Sequence, residues 1–256
     1  MPDGSGLTGL PNRDLPTDMK DRLIAALDVP SVQDAKVLIQ KLDGIVSFFK
    51  IGYWLYLAEG VDDLYRITTS EGRKLFLDAK MFDVPETVAQ AIGMAVKRKA
   101  SFVTVHGDER IMKAAVEAKG DSELKIFAVT VLTSLDDAAL KEMGYRLTAK
   151  ELVALRARKA VEAKCEGIIA SADDNPDTIR DLAGHNRLLI ATPGIRPAGS
   201  APDDQKRIAT PGEAIRNGAD YLVIGRPITQ SSNPRKAAED IIAEMQLGWD
   251  EYQRAL

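Results

Sequence analysis

Residues 74–105, KLFLDAKMFDVPETVAQAIGMAVKRKASFVTV, contain a strand pattern, a helix pattern and a second strand pattern in that order. The runs 74–77 and 102–105 are short, mainly apolar and rich in residues that favour β-structure. In the segment between them, 86–99, apolar residues recur at helical spacing: Val88, Ala91, Ile92 and Ala95. Apolar runs of this length are typical of parallel strands that are covered on both faces.

The same alternation continues along the chain from residue 21. Eight runs favour strands: Leu23–Leu27, Val46–Ile51, Lys74–Leu77, Phe102–Val105, Lys125–Leu132, Gly167–Ala170, Leu188–Ala191 and Tyr221–Ile224. Ser31, Thr148 and Thr210 are placed to begin helices between these runs, and Gly218 is placed to end one. Eight such units predict a single (β/α)8 TIM barrel with parallel strands. A doubly wound open sheet is the alternative, but it usually has fewer strands, and the chain contains no G-x-G-x-x-G motif.

Composition narrows the functional class. Of the 256 residues, 45% are hydrophobic and 28% are charged, which is typical of a globular protein with a large core. The net charge of −4 and the lack of a basic block argue against nucleic-acid or membrane-surface partners. One cysteine, Cys165, and two histidines exclude an intrachain disulfide and a His-rich metal site. Catalysis would then depend on carboxylates, lysines, arginines or hydroxyls.

The N-terminal residues predict the domain boundary and the compartment. Residues 1–20 contain three prolines and three glycines without periodicity, so we expect a flexible lead-in followed by a barrel domain over 21–256. The segment lacks the apolar stretch of a secretory signal. No apolar run approaches the roughly 20 residues that span a bilayer. These features predict a cytoplasmic protein.

Charged side chains follow the first three predicted strands. Asp28 follows the first strand, Lys50 lies in the second, and Asp78 and Lys80 follow the third. Functional residues of such barrels gather at these strand ends, and residues two apart on a strand point to the same side. A single charge there is most simply explained as solvated, but four favour an alternating array that keeps its lysines protonated.

The last two strands end in residues suited to an anion. Gly225 and Arg226 follow the eighth strand, and Arg196 and Gln205 lie in the long loop 192–207 after the seventh. Loops after these two strands often bind phosphate in (β/α)8 barrels. Glycine allows backbone N–H groups to approach an anion closely, and arginine donates two parallel hydrogen bonds. We therefore expect a phosphate site, with the loop as a candidate lid.

The segment Leu77–Pro85 resembles the D-x-K-x-x-D-[IV]-P signature of orotidine-5′-phosphate decarboxylases. Six further segments resemble the bacterial branch of that family in order and spacing: Ala26–Pro30, Phe49–Gly52, Val131–Ser134, Thr192–Pro197, Asp204–Arg207 and Tyr221–Pro227. The resemblance covers nearly the whole chain from residue 22. It implies conversion of orotidine 5′-monophosphate to uridine 5′-monophosphate (UMP) in de novo pyrimidine biosynthesis, without a metal or a cofactor.

The resemblance also implies a role for each matching residue. Lys80 would deliver a proton to C6 of the pyrimidine, and Asp78 would lie beside the leaving carboxylate. Lys50 and Asp28 would bind ribose hydroxyls. Thr133 and Ser171 would bind substrate, with the serine at the pyrimidine edge. The phosphate would be held by four residues: Arg196, Gln205, Gly225 and Arg226.

A homodimer is implied as well, in which Asp83 and Thr87 complete the active site of the neighbouring subunit. Asp83 is thereby counted with both the catalytic and the substrate-binding residues. Two neighbouring positions depart from the family pattern: Phe82 stands where histidine is common, and Glu86 where asparagine is common. These departures concern the dimer contact rather than the four charges of the predicted array.

Two other functions remain open at this point. Sugar-phosphate decarboxylases and hexulose-phosphate synthases share D-x-K-x-x-D but use a divalent metal, and Gln205 and the segment Thr192–Pro197 weigh against them. A barrel that binds a nucleotide without turnover is the second alternative. The intact charged residues weigh against that alternative, and an activity assay distinguishes the three.

Overall fold

The computed structural model describes Arg13 and residues 15–70, 72–198 and 209–255. Within these residues, eight parallel strands pair in chain order and close a barrel. The strands are β1 (Leu23–Ala26), β2 (Phe48–Ile51), β3 (Lys74–Met81), β4 (Phe102–His106), β5 (Lys125–Val129), β6 (Gly167–Ile169), β7 (Leu189–Thr192) and β8 (Tyr221–Ile224). The predicted (β/α)8 architecture is confirmed.

Helices lie between the strands and cover the outside of the barrel. The α-helices of the described residues are α1 (Val32–Lys41), α2 (Tyr53–Tyr56), α3 (Val61–Thr68), α4 (Pro85–Lys97), α5 (Glu109–Lys119), α6 (Asp137–Glu142), α7 (Ala149–Glu162), α8 (Pro176–Ala183), α9 (Pro211–Arg216), α10 (Arg226–Thr229) and α11 (Pro234–Ala255). Two short 3₁₀ helices are Met19–Arg22 and Ala172–Asp174. None of the helices that the structure describes is long and apolar enough to span a membrane.

The predicted helix boundaries follow from side-chain caps. The Ser31 hydroxyl accepts the Asp34 N–H at the start of α1. Thr148 and Thr210 each form a capping box with the glutamate three residues later, at the start of α7 and α9. These caps satisfy N–H groups that lack a partner in the first helical turn. Gly218 follows α9 with φ +94°, a conformation that favours glycine and ends the helix.

Alternation along the strands divides the core into two layers. Outward-facing residues such as Phe49, Leu77 and Val103 pack beneath the helices. Inward-facing residues fill the lower part of the barrel with rings: Phe48, Phe76, Phe102, Phe127 and Tyr221. The ring centroids of Phe102 and Phe127 are 4.4 Å apart and those of Phe48 and Phe102 are 4.8 Å apart. This aromatic layer closes the barrel from below and leaves the upper inward positions for the site.

Most predicted strand bounds lie within two residues of the observed ones, but two strand ends differ by three residues or more. The third strand continues past Leu77 to Met81, although its pairing with β4 is irregular between these two residues. The fifth strand was expected to reach Leu132 but ends at Val129. The hydroxyl of Thr130 bonds to the carbonyl of Ile169 across the barrel wall at 2.7 Å. Beyond that contact the chain leaves the sheet and lines a cavity instead.

A buried ion cluster lies near the start of β8. Asp220 is fully buried and pairs with Arg180, and also with Arg13, whose Nε is 2.9 Å from Asp220 Oδ1. Arg22, whose pKa is lowered to about 10 by burial, donates to the backbone carbonyl of Asp220 at 2.7 Å. Asp177 on α8 bonds to Arg180 at 2.8 Å. The cluster therefore connects Arg13, the 3₁₀ helix before β1, α8 and the residue before β8 through ion pairs and hydrogen bonds.

Part of the predicted lead-in belongs to this packing. Arg13 is 8% exposed and Met19 is 2% exposed, and Met19 packs in the outer hydrophobic core. Residues 1–12 and 14 lie outside the described residues. The segment before residue 21 thus contacts the barrel at these two positions, while the boundary at residue 21 stays a prediction.

Candidate active site

A cavity of about 560 Å³ opens at the carboxyl ends of the strands. Phe76 of the aromatic layer is part of its floor. Eight residues predicted for the site line its wall: Asp28, Lys50, Asp78, Lys80, Thr133, Arg196, Gly225 and Arg226. The cavity is therefore polar at two ends, with the carboxylates and lysines of β1–β3 at one and the arginines after β7 and β8 at the other.

The four charges of the first three strands form a continuous chain. Lys50 Nζ is 3.1 Å from Asp28 Oδ1 and 3.3 Å from Asp78 Oδ2. Lys80 Nζ is 2.7 Å from Asp78 Oδ1. The order is Asp28, Lys50, Asp78, Lys80, so each of the two inner charges has an opposite charge on both sides. The sequence placed these groups at one end of the barrel, and the structure brings them into direct contact.

Electrostatics in the chain keep its inner members ionised. Burial alone would lower the pKa of Lys50, but the carboxylates of Asp78 and Asp28 outweigh burial, and the pKa is raised. Burial alone would raise the pKa of Asp78, but the ammonium groups of Lys50 and Lys80, with hydrogen bonds from Lys80 and Thr104, hold it below the usual value. Asp78 is therefore a carboxylate and Lys50 an ammonium at neutral pH.

The two lysines differ in access to the cavity. The side chain of Lys50 is 9% exposed and that of Asp78 is 12% exposed, whereas that of Lys80 is 31% exposed. Lys50 is enclosed between its two carboxylates, so its charge serves mainly to hold them in place. Of the two ammonium groups among these four charges, that of Lys80 is therefore the one that a bound molecule reaches more easily.

The site residues of β3 lie on a bulge. Leu77 pairs with Val103 and Met81 with Val105, so the three residues Asp78–Lys80 face the single residue Thr104 on β4. Lys80 has φ +42°, a left-handed conformation that is uncommon for a residue with a Cβ. The sequence predicts that Asp78 and Lys80 point to the same side because residues two apart do so on a regular strand. The two side chains do meet, but on a bulged strand rather than a regular one.

The arginine end of the cavity, which meets the charged chain where Gly225 adjoins Asp28, carries groups suited to an anion. Gly225 follows β8 directly, and Arg226 begins the short helix α10 beside it. Without a side chain, Gly225 leaves its backbone open to the cavity, although a Cβ there would lie at an ordinary contact distance, 3.5 Å, from Asp28 Oδ2. Arg196 is 8% exposed, and its Nη1 donates to the Ile195 carbonyl at 2.8 Å. Two guanidinium groups and open backbone thus line this end of the cavity.

Some predicted site residues are not brought to the cavity. Asp83 and Thr87 are exposed at the start of α4 and are not among the lining residues. Ser171 is 1% exposed and is likewise not a lining residue; its hydroxyl instead caps the turn Ala172–Asp174. Gln205 lies outside the described residues, as does most of the predicted lid loop.

Tyr53, Trp54 and Thr104 are among the residues at the site that were not predicted for it. Tyr53 and Trp54 line the cavity and are 59% and 60% exposed. The Tyr53 hydroxyl donates to the carbonyl of Ala79 at 2.7 Å, which ties the start of α2 to the β3 bulge. Thr104 bonds to both ends of that bulge. Their positions depend on how β2, β3 and β4 meet in space, which no local sequence pattern records.

The comparison with protein families is decisive for the classification. The model described as the orotidine 5′-phosphate decarboxylase / HUMPS family matches residues 21–241. The chain belongs to this family. The match covers all eight strands, so the array and the arginine end of the cavity both lie within it.

Individual relatives agree with this family membership. A protein of Nitrobacter winogradskyi named orotidine 5′-phosphate decarboxylase is 46% identical over 239 residues, covering 93% of this chain and 97% of that one. A protein of the same name from Rhodopseudomonas palustris is 48% identical over 230 residues, covering 90% and 97%. The crystal structure of the Lactobacillus acidophilus orotidine 5′-phosphate decarboxylase superposes with a TM-score of 0.76 at 33% identity, covering 88% of this chain and 99% of that one.

Proposed function

We propose that the protein removes the carboxyl group of orotidine 5′-monophosphate and forms UMP, a step of pyrimidine biosynthesis, without a metal or an organic cofactor. Family membership and relatives that carry this name support the reaction. The observation that carries the proposed mechanism is the Asp28–Lys50–Asp78–Lys80 chain, with Lys80 at its more accessible end. The cytoplasmic location predicted from the sequence is kept as part of this proposal.

The chemistry requires a cation at the carbon that loses CO₂. When the C6–carboxylate bond breaks, its electron pair stays on C6 and CO₂ leaves. The Lys80 ammonium stabilises this developing negative charge and then gives a proton to C6, and the resulting amine recovers a proton from water. The carboxylate of Asp78 holds the Lys80 ammonium at 2.7 Å and therefore fixes its direction. These steps involve no net oxidation or reduction.

Other residues would bind the rest of the nucleotide. Asp28 and Lys50 would bind ribose hydroxyls, and Thr133 would contact the substrate from the loop after β5. The phosphate would lie against Arg196, Gly225 and Arg226, remote from the reacting carbon. Binding energy released there can fix the base over Lys80 without touching the reacting bond. Ser171 and Gln205 are kept as substrate-binding residues by resemblance. Ser171 is buried in its cap position, so a contact with the pyrimidine would require this turn to open.

A decarboxylation assay tests this function. We expect the purified protein to convert orotidine 5′-monophosphate to UMP rapidly in excess EDTA, followed as the fall in pyrimidine absorbance. Among the described residues, no group of three or more His, Cys, Asp or Glu side chains is placed to hold a metal ion. Activity on a sugar phosphate that requires Mg²⁺, with none on the nucleotide, would place the protein with the metal-dependent enzymes. UMP binding without turnover would favour a binding module.

We further propose that the protein is a homodimer whose two sites are each completed by Asp83 and Thr87 of the other subunit. Both residues are exposed in the single chain, close in sequence to the bulge that carries Lys80. Exposed apolar side chains flank them: Phe82 is 67% exposed and Val84 is 61% exposed. The Phe82 ring lies 4.3 Å from the His106 ring, so phenylalanine is supported where the family commonly has histidine.

A heterodimer separates this arrangement from a self-contained site. Lys80→Ala and Asp83→Ala homodimers should both be nearly inactive, because each lacks one essential group in both sites. Co-expressed with different tags and purified as a heterodimer, the two variants should recover about half of the wild-type activity, since a two-fold dimer then has one intact site. A heterodimer no more active than its parents would show that Asp83 acts within its own subunit.

A further inference from the structure

The hydroxyl of Thr104 joins the two ends of the β3 bulge. It accepts the backbone N–H of Lys80 at 2.9 Å and donates to Asp78 Oδ1 at 2.9 Å. Thr104 is 0% exposed and is not among the residues that line the cavity, so its contacts with a bound nucleotide would be indirect. One buried hydroxyl thus forms hydrogen bonds with two of the four charged residues, Asp78 and Lys80.

The bulge needs this hydroxyl because the strand ladder is interrupted there. Three residues of β3, Asp78–Lys80, face Thr104 alone, so their backbone groups do not all find partners on β4. The Lys80 N–H would otherwise point at a strand that offers it no carbonyl in register. Threonine supplies the missing acceptor from its side chain while its backbone continues in β4.

The same hydroxyl orients the carboxylate of Asp78. Asp78 Oδ1 accepts from both Lys80 Nζ at 2.7 Å and Thr104, and Asp78 Oδ2 lies 3.3 Å from Lys50 Nζ. Three donors from three strands therefore fix the plane of this carboxylate. Loss of the Thr104 donor would free Oδ1 to rotate, and the Lys80 ammonium would move with it.

We propose that Thr104 is a positioning residue for the reaction: its hydroxyl holds Lys80 in the left-handed conformation at φ +42° and sets the direction of the Asp78 carboxylate. The inference rests on the proposed function, in which Lys80 is the proton donor. It requires a hydroxyl at this position rather than the full threonine side chain. A small displacement of the Lys80 ammonium would lower the rate considerably, because proton transfer to C6 depends on the distance and direction between the two atoms.

Thr104→Val tests the inference, because valine has the same shape but no hydroxyl. Since two hydrogen bonds are lost, one of them to a charged group, we expect kcat to fall about 10- to 100-fold. KM and the dissociation constant of UMP should stay within about threefold of wild type, because the residue acts on the reacting groups rather than on binding. Thr104→Ser, which keeps the hydroxyl, should recover most of kcat.

Thr68→Val is the matched control for loss of a buried threonine hydroxyl. Thr68 lies in α3, is 0% exposed and donates to the Leu64 carbonyl at 2.7 Å. The Thr68→Val variant should lose about as much thermal stability as Thr104→Val, but its kcat should equal that of the wild type. This comparison separates a fall in kcat from a general loosening of the barrel, and thermal unfolding of all three variants shows whether each is folded.

Three kinetic results would overturn the inference. Thr104→Val could retain kcat within about twofold of wild type. Its KM and UMP dissociation constant could rise by as large a factor as kcat falls. Thr104→Ser could fail to recover activity. A crystal structure of Thr104→Val with Lys80 still at φ near +42° and the same Asp78 contacts would also contradict it. Wild-type protein without decarboxylase activity would instead refute the proposed function, and the crystal structure would still decide whether Thr104 holds the bulge.

Discussion

Replacing Lys80 by alanine should reduce decarboxylation by about 10,000-fold or more, because the variant loses both a proton donor and the cation that stabilises the developing charge at C6. UMP binding should survive, since the arginines and the ribose-binding residues are unchanged. The expected signature is a collapse of kcat with a UMP dissociation constant within about tenfold of wild type. Single-turnover rates and equilibrium titration measure the two quantities separately.

Lys97→Ala provides the control for this variant. Lys97 lies exposed in the last turn of α4, on the same βα unit as Lys80 but outside the cavity lining. It should retain the wild-type kcat. A Lys80→Ala protein whose kcat is within about tenfold of wild type would contradict the assignment of Lys80 as proton donor, whatever its effect on binding.

Of the variants proposed here, Asp220→Ala should lose the most stability: its free energy of unfolding should fall by about 3–5 kcal/mol. Asp220 is fully buried and compensates Arg180 and Arg13, and its Oδ2 also accepts the backbone N–H of Ile190 at 2.8 Å. Among the residues that the structure describes, alanine would leave two buried guanidinium groups with the half-exposed Asp177 as their remaining paired carboxylate. Urea denaturation measures the change in the free energy of unfolding.

An exposed pair supplies the comparison for Asp220. Lys236 and Asp240 form an i,i+4 ion pair on α11, and both side chains are 62% exposed. Asp240→Ala should cost no more than about 0.5 kcal/mol, because water screens the pair. Asp220→Asn keeps an acceptor for the Ile190 N–H and so isolates the contribution of the charge. Equal costs for Asp220→Ala and Asp240→Ala would refute the view that the buried cluster stabilises the barrel.

The barrel and the charged array were predictable because their signals are local. Each strand is a short apolar run, the caps at Ser31, Thr148 and Thr210 lie within three residues of their partners, and parallel strands bring their carboxyl ends together. Alternation then places Lys50 and Asp78 above the aromatic layer. The contacts among the four charges follow once adjacent strands pair in order.

Other features depend on register and could not be predicted in this way. Whether Thr104 faces one residue of β3 or three is decided by the pairing of two strands, not by either sequence alone. The buried ion cluster joins Arg13, Arg180 and Asp220, which are far apart in the chain. Ser171 has the residue type expected of a substrate contact, but its neighbours Asp173 and Asp174 engage it in a local cap.

A crystal structure with UMP bound tests the central claim most directly, namely that the cavity places a nucleotide with its reacting carbon at Lys80 and its phosphate at the arginines. We predict that C6 of the uracil lies about 3–3.5 Å from Lys80 Nζ, the near-attack distance for transfer to that carbon. The phosphate should contact Arg226 and the backbone at Gly225. UMP bound in the opposite direction, or with C6 turned away from Lys80, would contradict the account.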